Sequence, residues 1–484
     1  MPNILAWLVM FVWPVVVIVT YQKRRGRASA ARTTAWMLFL GIMFLPSSMA
    51  LDAPLIPPMN KCALTALACW VSLQLFHRNE LLQRAPGHQM PRLLLAAMVY
   101  AAYMTIATNG DVLRYGRTEL QGLPKSEVIS YTFGILFDFY IPFTVSQRVF
   151  KTERDLRDLL DVLTRCLLIY IPFVLYELKM APVLHERFYG YGPFGFAQAV
   201  RDGGYRPNVF MAHGLVLAVF TCAAFAAARG LVAAGVTTKP LRPKPLLWLS
   251  FVMVLLTKTL AAMIYGALCW LLIRRPTRTF VISIFLLVVC GLVAAYPSMR
   301  IAGSFPTYKL VEWAKGASAE RASSLQFRFD NEDVLLVRSL ERPMWGWGGY
   351  GRSRVYDEDG VDTTIADGLW IIWFGASGFA GLYLNLAAVF LPMLRTAFRL
   401  HKVRPSAVPL LAVLAVVSGF LVIDILPNGR YDYLSMIMAG AMWTLSETLT
   451  RPLPKKRKVE PSPVPPTPTD GGAEAPDPPI PQPG

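Results

Sequence analysis

Thirteen apolar runs, with lysine and arginine gathered in alternate gaps between them, constrain this chain more than any single motif. The runs lie near residues 4–20, 35–51, 60–76, 93–108, 127–147, 162–178, 207–228, 246–257, 258–273, 279–296, 366–392, 406–425 and 431–448. An α-helix needs about 20 apolar residues to cross a bilayer. The bilayer offers no water to backbone N–H and C=O groups, so such runs must close their hydrogen bonds internally. The expected fold class is all-α: a polytopic membrane protein of about 12–13 transmembrane helices with a large periplasmic loop. Charge is correspondingly scarce, 16% of the 484 residues, against about 25% in soluble domains. A soluble enzyme, a disordered scaffold and a secreted disulfide protein are excluded. The six cysteines all fall inside apolar runs. They form no CxxC or Cys/His set, so neither a disulfide framework nor a structural zinc is supported.

The net charge of +17 would suit a nucleic-acid binder if it were clustered. It is instead dispersed between the apolar runs, so no nucleic-acid partner is expected. One set of gaps, 23–32, 78–92, 148–157, 229–244, 274–278, 395–404 and 451–458, is short and rich in Lys and Arg. The positive-inside rule assigns that set to the cytoplasm. Segments 52–59, 109–126, 179–206, 297–365 and 426–430 then face outward. The expected localisation is a bacterial inner membrane, with the N-terminus periplasmic and the C-terminus cytoplasmic. Residues 4–20 lack a basic stretch ahead of them and read as a retained span rather than a cleaved signal. Runs 246–257 and 258–273 are short for two crossings and long for one. A tight hairpin turning near Lys258 is expected, with one kinked helix as the alternative.

Residues 1–451 therefore form one transmembrane domain, and the Pro-rich, polar segment 452–484 is expected to be disordered. Its basic cluster at 455–458 satisfies topology and can touch anionic membrane lipids. In the large loop 297–365, Leu325, Phe329, Leu336 and Leu340 recur at helical spacing and Pro343 ends the run. The turn-rich segment Trp345-Gly-Trp-Gly-Gly-Tyr-Gly351 follows.

Several outward residues could carry chemistry. Arg201, Arg206, Arg321, Arg328 and Arg430 lie at or near the outer boundaries, where topology has little use for them. Guanidinium forks bind phosphate in bidentate fashion, and a cavity lined by them at membrane level suits a lipid-linked pyrophosphate. Loop solubility and pairing with Asp202, Asp330 or Glu332 is the plainer reading of any one of them. Lys258 interrupts two apolar runs in Leu255-Leu-Thr-Lys-Thr-Leu260; a charge at that depth is functional by default unless it snorkels to the interface. Asp367 opens a span, either as a helix cap or as a general base. His213, seven residues after Arg206, is either a satisfied helix histidine or a proton acceptor. Asp138 and Asp424, inside apolar runs, are expected to pair within the bundle. No GxxxxGK[ST] motif is present, and the acidic cluster 357–362 lacks EF-hand spacing, so it reads as a solvated turn.

The stretch from Arg328 to Leu382 resembles the C-terminal signature of the O-antigen ligase and O-antigen polymerase family. The parts are Arg328, Arg342-Pro-Met-Trp-Gly-Trp-Gly348, Asp367-Gly-Leu-Trp and Gly378-Phe-Ala-Gly381. Upstream, Arg206-Pro-Asn-Val-Phe through His213 and Leu256-Thr-Lys-Thr resemble two further family segments. The resemblance spans roughly residues 200–450. It implies a membrane core like that of the class C glycosyltransferases. The implied donor is a glycan on undecaprenyl pyrophosphate, used without nucleotide sugar, metal or other cofactor. It also implies other polysaccharide assembly proteins as partners. Arg206, Lys258 and Arg328, joined by Arg201 and Arg430, would hold the pyrophosphate, and Asp367 or His213 would act as base. Asp367 stands where the family has His, and Lys258 where it has Arg. Two other readings remain open on the sequence: a transporter or flippase for a lipid-linked or anionic solute, and a non-catalytic envelope scaffold. The transporter would show paired broken helices in related halves; the scaffold would depend on the tail 452–484.

Overall fold

The computed structural model describes residues 1–53, 56–78, 86–193, 195–201, 203–236, 243–274, 277–429 and 433–450. Side chains at a few further positions, including 201 and 321, are not described. The tail 452–484 lies outside the described residues. The first 451 residues form one compact unit.

Each of the thirteen apolar runs coincides with a helix. In chain order these are α1 (Ile4–Arg24), α2 (Ala30–Phe44), α3 (Lys61–Phe76), α4 (Met90–Ala107), α5 (Glu127–Val149), α6 (Glu153–Met180), α8 (Gly214–Ala233), α9 (Pro243–Leu256), α10 (Leu260–Leu272), α11 (Thr279–Ile301), α14 (Leu369–Arg399), α15 (Val408–Asp424) and α16 (Tyr433–Thr448). Among the described residues three more α-helices lie between them: α7 (Leu184–Tyr189), α12 (Thr307–Ala317) and α13 (Ala319–Leu340). Among the described residues seven helices, α1, α4, α5, α6, α8, α11 and α14, are long and apolar enough to cross a membrane unaided. The chain is a helical, multi-pass membrane protein. Three antiparallel two-stranded ribbons, Ala50–Ala53 with Ile56–Asn60, Leu113–Tyr115 with Thr118–Leu120, and Val200–Arg201 with Gly204–Tyr205, are the strand content of the described residues.

Helix α15 sits at the centre, where nearly every side chain is buried; α1, near the edge, leaves Leu8, Phe11 and Val15 exposed. Such an apolar exterior is matched to lipid tails, and the close packing inside comes from small residues. At Gly440 any β-carbon would come within 2.2 Å of the Phe143 carbonyl, so α16 and α5 touch backbone to backbone.

Contacts sort the connecting segments into two ends, as the basic residues suggest. At one end Arg32 pairs with Asp158 (2.7 Å) and Asp161 (2.8 Å), Arg399 with Glu447 (3.3 Å), and Arg404 with Glu153 (3.6 Å). The Trp443 indole donates to the Gly87 carbonyl at 3.1 Å, bringing the gap at 78–92 to the same end. At the opposite end the backbone N–H of Asn3 reaches the Tyr189 carbonyl (2.9 Å), Arg342 pairs with Asp111 (2.7 Å), and Ser47 meets His185 and Phe210.

The expected hairpin at Lys258 is present. Lys258 has φ 48°, a left-handed turn conformation rare for a side chain of its size. Trp248 and Trp270, on either side of it, bring their ring centroids within 5.8 Å, which requires α9 and α10 to run antiparallel. One kinked helix would have carried those rings far apart. The fourteen and thirteen residues of α9 and α10 span only about 20 Å each, so the turn sits below the level reached by full crossings.

Helix α14 is interrupted. Gly378 has φ 63° and ψ −165°, and its position is filled on the outside by the carbonyl of Met344, 2.3 Å from where a β-carbon would stand. The turn 343–348 supplies what the helix ladder lacks. Trp347 and Gly348 donate to the carbonyls of Gly375 and Ala376 (both 2.8 Å), while Phe379 and Ala380 donate to those of Pro343 (2.7 Å) and Met344 (3.2 Å). The Gly/Trp turn and the Gly378-x-x-Gly381 motif are therefore two halves of one joint.

Candidate functional site

The opposite end gathers the candidate residues into two groups. The first forms on the loop 206–213, which enters α8. Pro207 follows Arg206, which favours extended backbone there, and Val209 adopts φ 55°, costly for a β-branched residue. Glu177, fully buried near the end of α6, holds this shape. Its Oε2 accepts the N–H groups of Asn208 (2.9 Å) and Val209 (2.7 Å), and its Oε1 that of Leu184 (3.1 Å). The Tyr170 hydroxyl accepts the Phe210 N–H at 3.1 Å, and Ser47 and Lys61 both donate to the Phe210 carbonyl, at 2.8 and 3.0 Å.

On that frame Arg206 and His213 face each other, with a guanidinium nitrogen 3.3 Å from His213 Nε2. His213 is the N-cap of α8, and its Nδ1 accepts the Leu215 N–H at 3.1 Å. A neutral imidazole has one acceptor nitrogen, and two donors, the Leu215 N–H and the Arg206 guanidinium, converge on this ring. The Lys258 ammonium closes the group from the tip of the α9–α10 hairpin. It lies against Gly204, where a β-carbon would stand 2.4 Å from Nζ. Arg201 is on the ribbon strand paired with Gly204; its side chain is outside the described residues, as is the whole of Arg430.

The second group joins α13 to the start of α14. Arg328 Nε lies 3.6 Å from an Asp367 carboxylate oxygen, and its Nη1 donates to the Pro427 carbonyl at 2.8 Å. Pairing of Arg328 with Asp330 or Glu332, the plainer expectation, is not what forms. Asp330 instead accepts from Gln326 (2.6 Å), and Glu332 is drawn inward to Arg300 (3.2 Å), Tyr296 (2.9 Å) and Trp370 (3.0 Å). Burial raises the pKa of Glu332 above the ordinary carboxylate value, against the pull of Trp370, Tyr296 and Arg300. Nor does Asp367 cap α14. The N-cap is Gly368, without a side-chain bond, and the Leu369 N–H is satisfied by the carbonyls of Ile425 (2.9 Å) and Asn428 (3.1 Å). The Asp367 carboxylate is thus left to the Arg328 pair, on a surface both residues share with solvent.

Tyr265, two turns beyond Lys258, donates to Asp424 (3.4 Å), which also accepts from Asn428 (2.8 Å) beside Pro427. Asp424 thus pairs within the bundle, as expected. Beside the loop 206–213 lies a cavity of about 290 Å³, lined by Lys61, Asp138, Met211, Ala212 and Tyr433 among others. Met211 and Ala212 lead directly into His213.

Sequence reading missed the residues that shape this site. Glu177 carried a signal, being the one acid within the apolar run 162–178; an ionisable group at such a depth marks function or its support. Arg352 carried none. Its side chain is fully buried and donates to the backbone of Asp111 (3.0 Å), Gln121 (2.9 Å) and Trp347 (3.1 Å), tying the Gly/Trp turn to the loop 109–126. The acidic cluster 357–362 is a turn, with Asp357 accepting the Val361 N–H at 2.8 Å. Among the described residues no three His, Cys, Asp or Glu side chains group closely enough to hold a metal ion.

No family model matches this chain, and no curated protein matches its sequence.

Proposed function

We propose that the protein is a polysaccharide polymerase or ligase that transfers glycan units from a polyprenyl-pyrophosphate donor on the non-cytoplasmic side of a bacterial inner membrane. The fold this implies resembles the membrane core of class C glycosyltransferases. The observation that carries the reading is the Arg328–Asp367 pair, placed at the same end of the bundle as the Arg206–Lys258 group. Cations beside a carboxylate, at the mouth of a membrane bundle, match a reaction in which an anion leaves while a hydroxyl loses its proton.

The chemistry balances without a cofactor. The acceptor hydroxyl attacks the anomeric carbon of the donor sugar as the bond from that carbon to the pyrophosphate oxygen breaks. Asp367 takes the hydroxyl proton, and polyprenyl pyrophosphate departs with the bonding electrons. Arg206, Lys258 and Arg328 stabilise the charge that develops on it, the kind of electrostatic support that dominates group transfer. Lys258 serves as a point charge and the arginines as forks. Both ring nitrogens of His213 already face donors, the Leu215 N–H and the Arg206 guanidinium, which favours Asp367 over His213 as the base.

The test is a host strain carrying Arg328→Ala or Asp367→Asn, with lipid-linked glycans extracted and the surface polysaccharide sized. Accumulated single repeat units with no long chains identify a polymerase. Long lipid-linked chains that never reach an acceptor identify a ligase. Normal polysaccharide in Arg328→Ala, with the protein inserted at wild-type level, overturns the proposal.

A further inference from the structure

A second cavity, of about 390 Å³, lies between α5 and α14 under the Gly/Trp turn. Its volume is within the range of small-molecule sites. It runs from Pro57 and Tyr350 at the open end down to Asp138 and Asn385. Asp138 is eleven residues into α5, roughly 16 Å below the start of that helix. There α5 makes a π-helical turn, Leu136–Tyr140. Such bulges recur at functional sites because one wide turn re-aims a side chain without ending the helix. Here the bulge leaves Phe137 and Phe139 buried and turns Asp138 outward, where it lines this cavity and the 290 Å³ cavity at once.

The lining has a definite chemical character. Tyr131, Tyr350 and Trp373 supply flat apolar ring faces. Asp138, Asn385 and Ser130 supply hydrogen-bonding groups between them. Tyr131 is fixed by accepting the Gly349 N–H at 2.6 Å, and Asn385 by donating to the Gly381 carbonyl at 2.8 Å. A phenol that accepts one bond still has its own proton to give, and an amide that donates one still has a carbonyl oxygen and a second N–H. No Lys or Arg is among the described lining residues, so the cavity does not suit pyrophosphate, and one carboxylate is too few for a divalent cation. Ring faces interleaved with neutral donors, acceptors and one carboxylate fit a pyranose, whose C–H faces stack and whose hydroxyls bond at the rim. We infer that this cleft is a sugar-binding subsite, and that Asp138 and Asn385 at its floor hold hydroxyls of the sugar. The inference rests on the proposed glycan transfer and places the acceptor unit in the α5–α14 cleft, with the pyrophosphate at the Arg206–Lys258 and Arg328 groups.

The test is saturation-transfer NMR on the full chain in detergent, probed with free glucose, galactose, mannose, N-acetylglucosamine and N-acetylgalactosamine. Saturation is expected to pass to at least one pyranose. Its affinity is expected to fall about tenfold in Asp138→Asn and Asn385→Ala, a charged or bidentate contact being lost. It should stay unchanged in Arg328→Ala. Tyr131→Phe, which keeps the ring but loses the hydroxyl and its bond to Gly349, gives a milder loss, and a melting temperature equal to wild type in Asp138→Asn guards against misfolding of the deeper variants. No transfer to any of the five sugars, or transfer that Asp138→Asn and Asn385→Ala leave intact, overturns the inference. The two readings fail separately. Sugar binding that depends on Asp138 while Arg328→Ala keeps normal polysaccharide would leave the subsite standing and remove the transferase. Loss of polysaccharide in Arg328→Ala without any sugar binding would do the reverse.

Discussion

Replacing Glu177 by Gln isolates the support of the 206–213 loop. The carboxylate accepts three backbone N–H groups on two oxygens, at 3.1, 2.9 and 2.7 Å. Glutamine has nearly the same shape but offers one acceptor oxygen and one donor nitrogen. In its better orientation the oxygen keeps Asn208 and Val209, and the amide nitrogen meets the Leu184 N–H, donor against donor. One charge-assisted bond is lost, a buried donor is orphaned, and the two remaining bonds weaken because their acceptor is neutral. Bonds to charged groups contribute about 1.5–3 kcal/mol each, so local opening of the loop should become easier by about that amount. The left-handed Val209 adds to the tendency, since nothing else described fixes its N–H. Each 1.36 kcal/mol is a factor of ten, which gives a rise of about 10- to 150-fold in amide exchange at Asn208 and Val209. Hydrogen–deuterium exchange with mass spectrometry on the purified protein reads this directly, with α8 as the internal reference. Exchange within twofold of wild type over 206–211 would refute the reasoning. So would a rise of equal size throughout α8, which would mean global loosening rather than a released loop.

Two further outcomes follow from the same end of the molecule. His185 accepts the Ser47 N–H at Nε2 (3.0 Å) and bonds the Tyr191 carbonyl through Nδ1 (2.9 Å), so it is held neutral. Burial and the Lys61 charge lower its pKa to about 4 from 6.5. Its contribution to stability should therefore be complete above pH 6.5 and be lost as pH falls toward 4, by about 3 kcal/mol at pH 4; thermal unfolding of His185→Gln should show a flatter acid limb than wild type. Arg352→Met removes a buried guanidinium that bonds Asp111, Gln121 and Trp347, orphans their carbonyls and should lower stability by about 1–3 kcal/mol, seen as a depressed melting temperature and earlier proteolysis in 341–365.

What the sequence disclosed and what it withheld divide along one physical line. Membrane insertion is a local problem: each span must satisfy its own backbone, so the run of apolar residues announces it. Lys258 was legible for the same reason, because a charge inside such a run forces a turn. Arg328 and Asp367 could each be singled out, but their pairing across 39 residues depends on how α13 packs against α14. The role of Asp367 as a helix cap was a local inference, and it failed because the carbonyls of Ile425 and Asn428 arrive from a distant turn to do that work. Glu177 and Arg352 act wholly through such distant backbone, and no spacing rule reaches them. The chemistry of the α5–α14 cleft was invisible likewise, since its lining comes from segments that meet only in the folded bundle.

The joint in α14 bears on how the chain is made. A helix entering a bilayer normally arrives with every hydrogen bond already closed. Here the N–H groups of Phe379 and Ala380 and the carbonyls of Gly375 and Ala376 find partners on residues 343–348. Unsatisfied groups cost several kcal/mol each in hydrocarbon. The turn is translated before α14, so it has to wait at the membrane surface for the span to arrive. Insertion of α14 and folding of the loop before it are consequently one event in biogenesis, and a lesion in either should be recognised by quality control as failure of both.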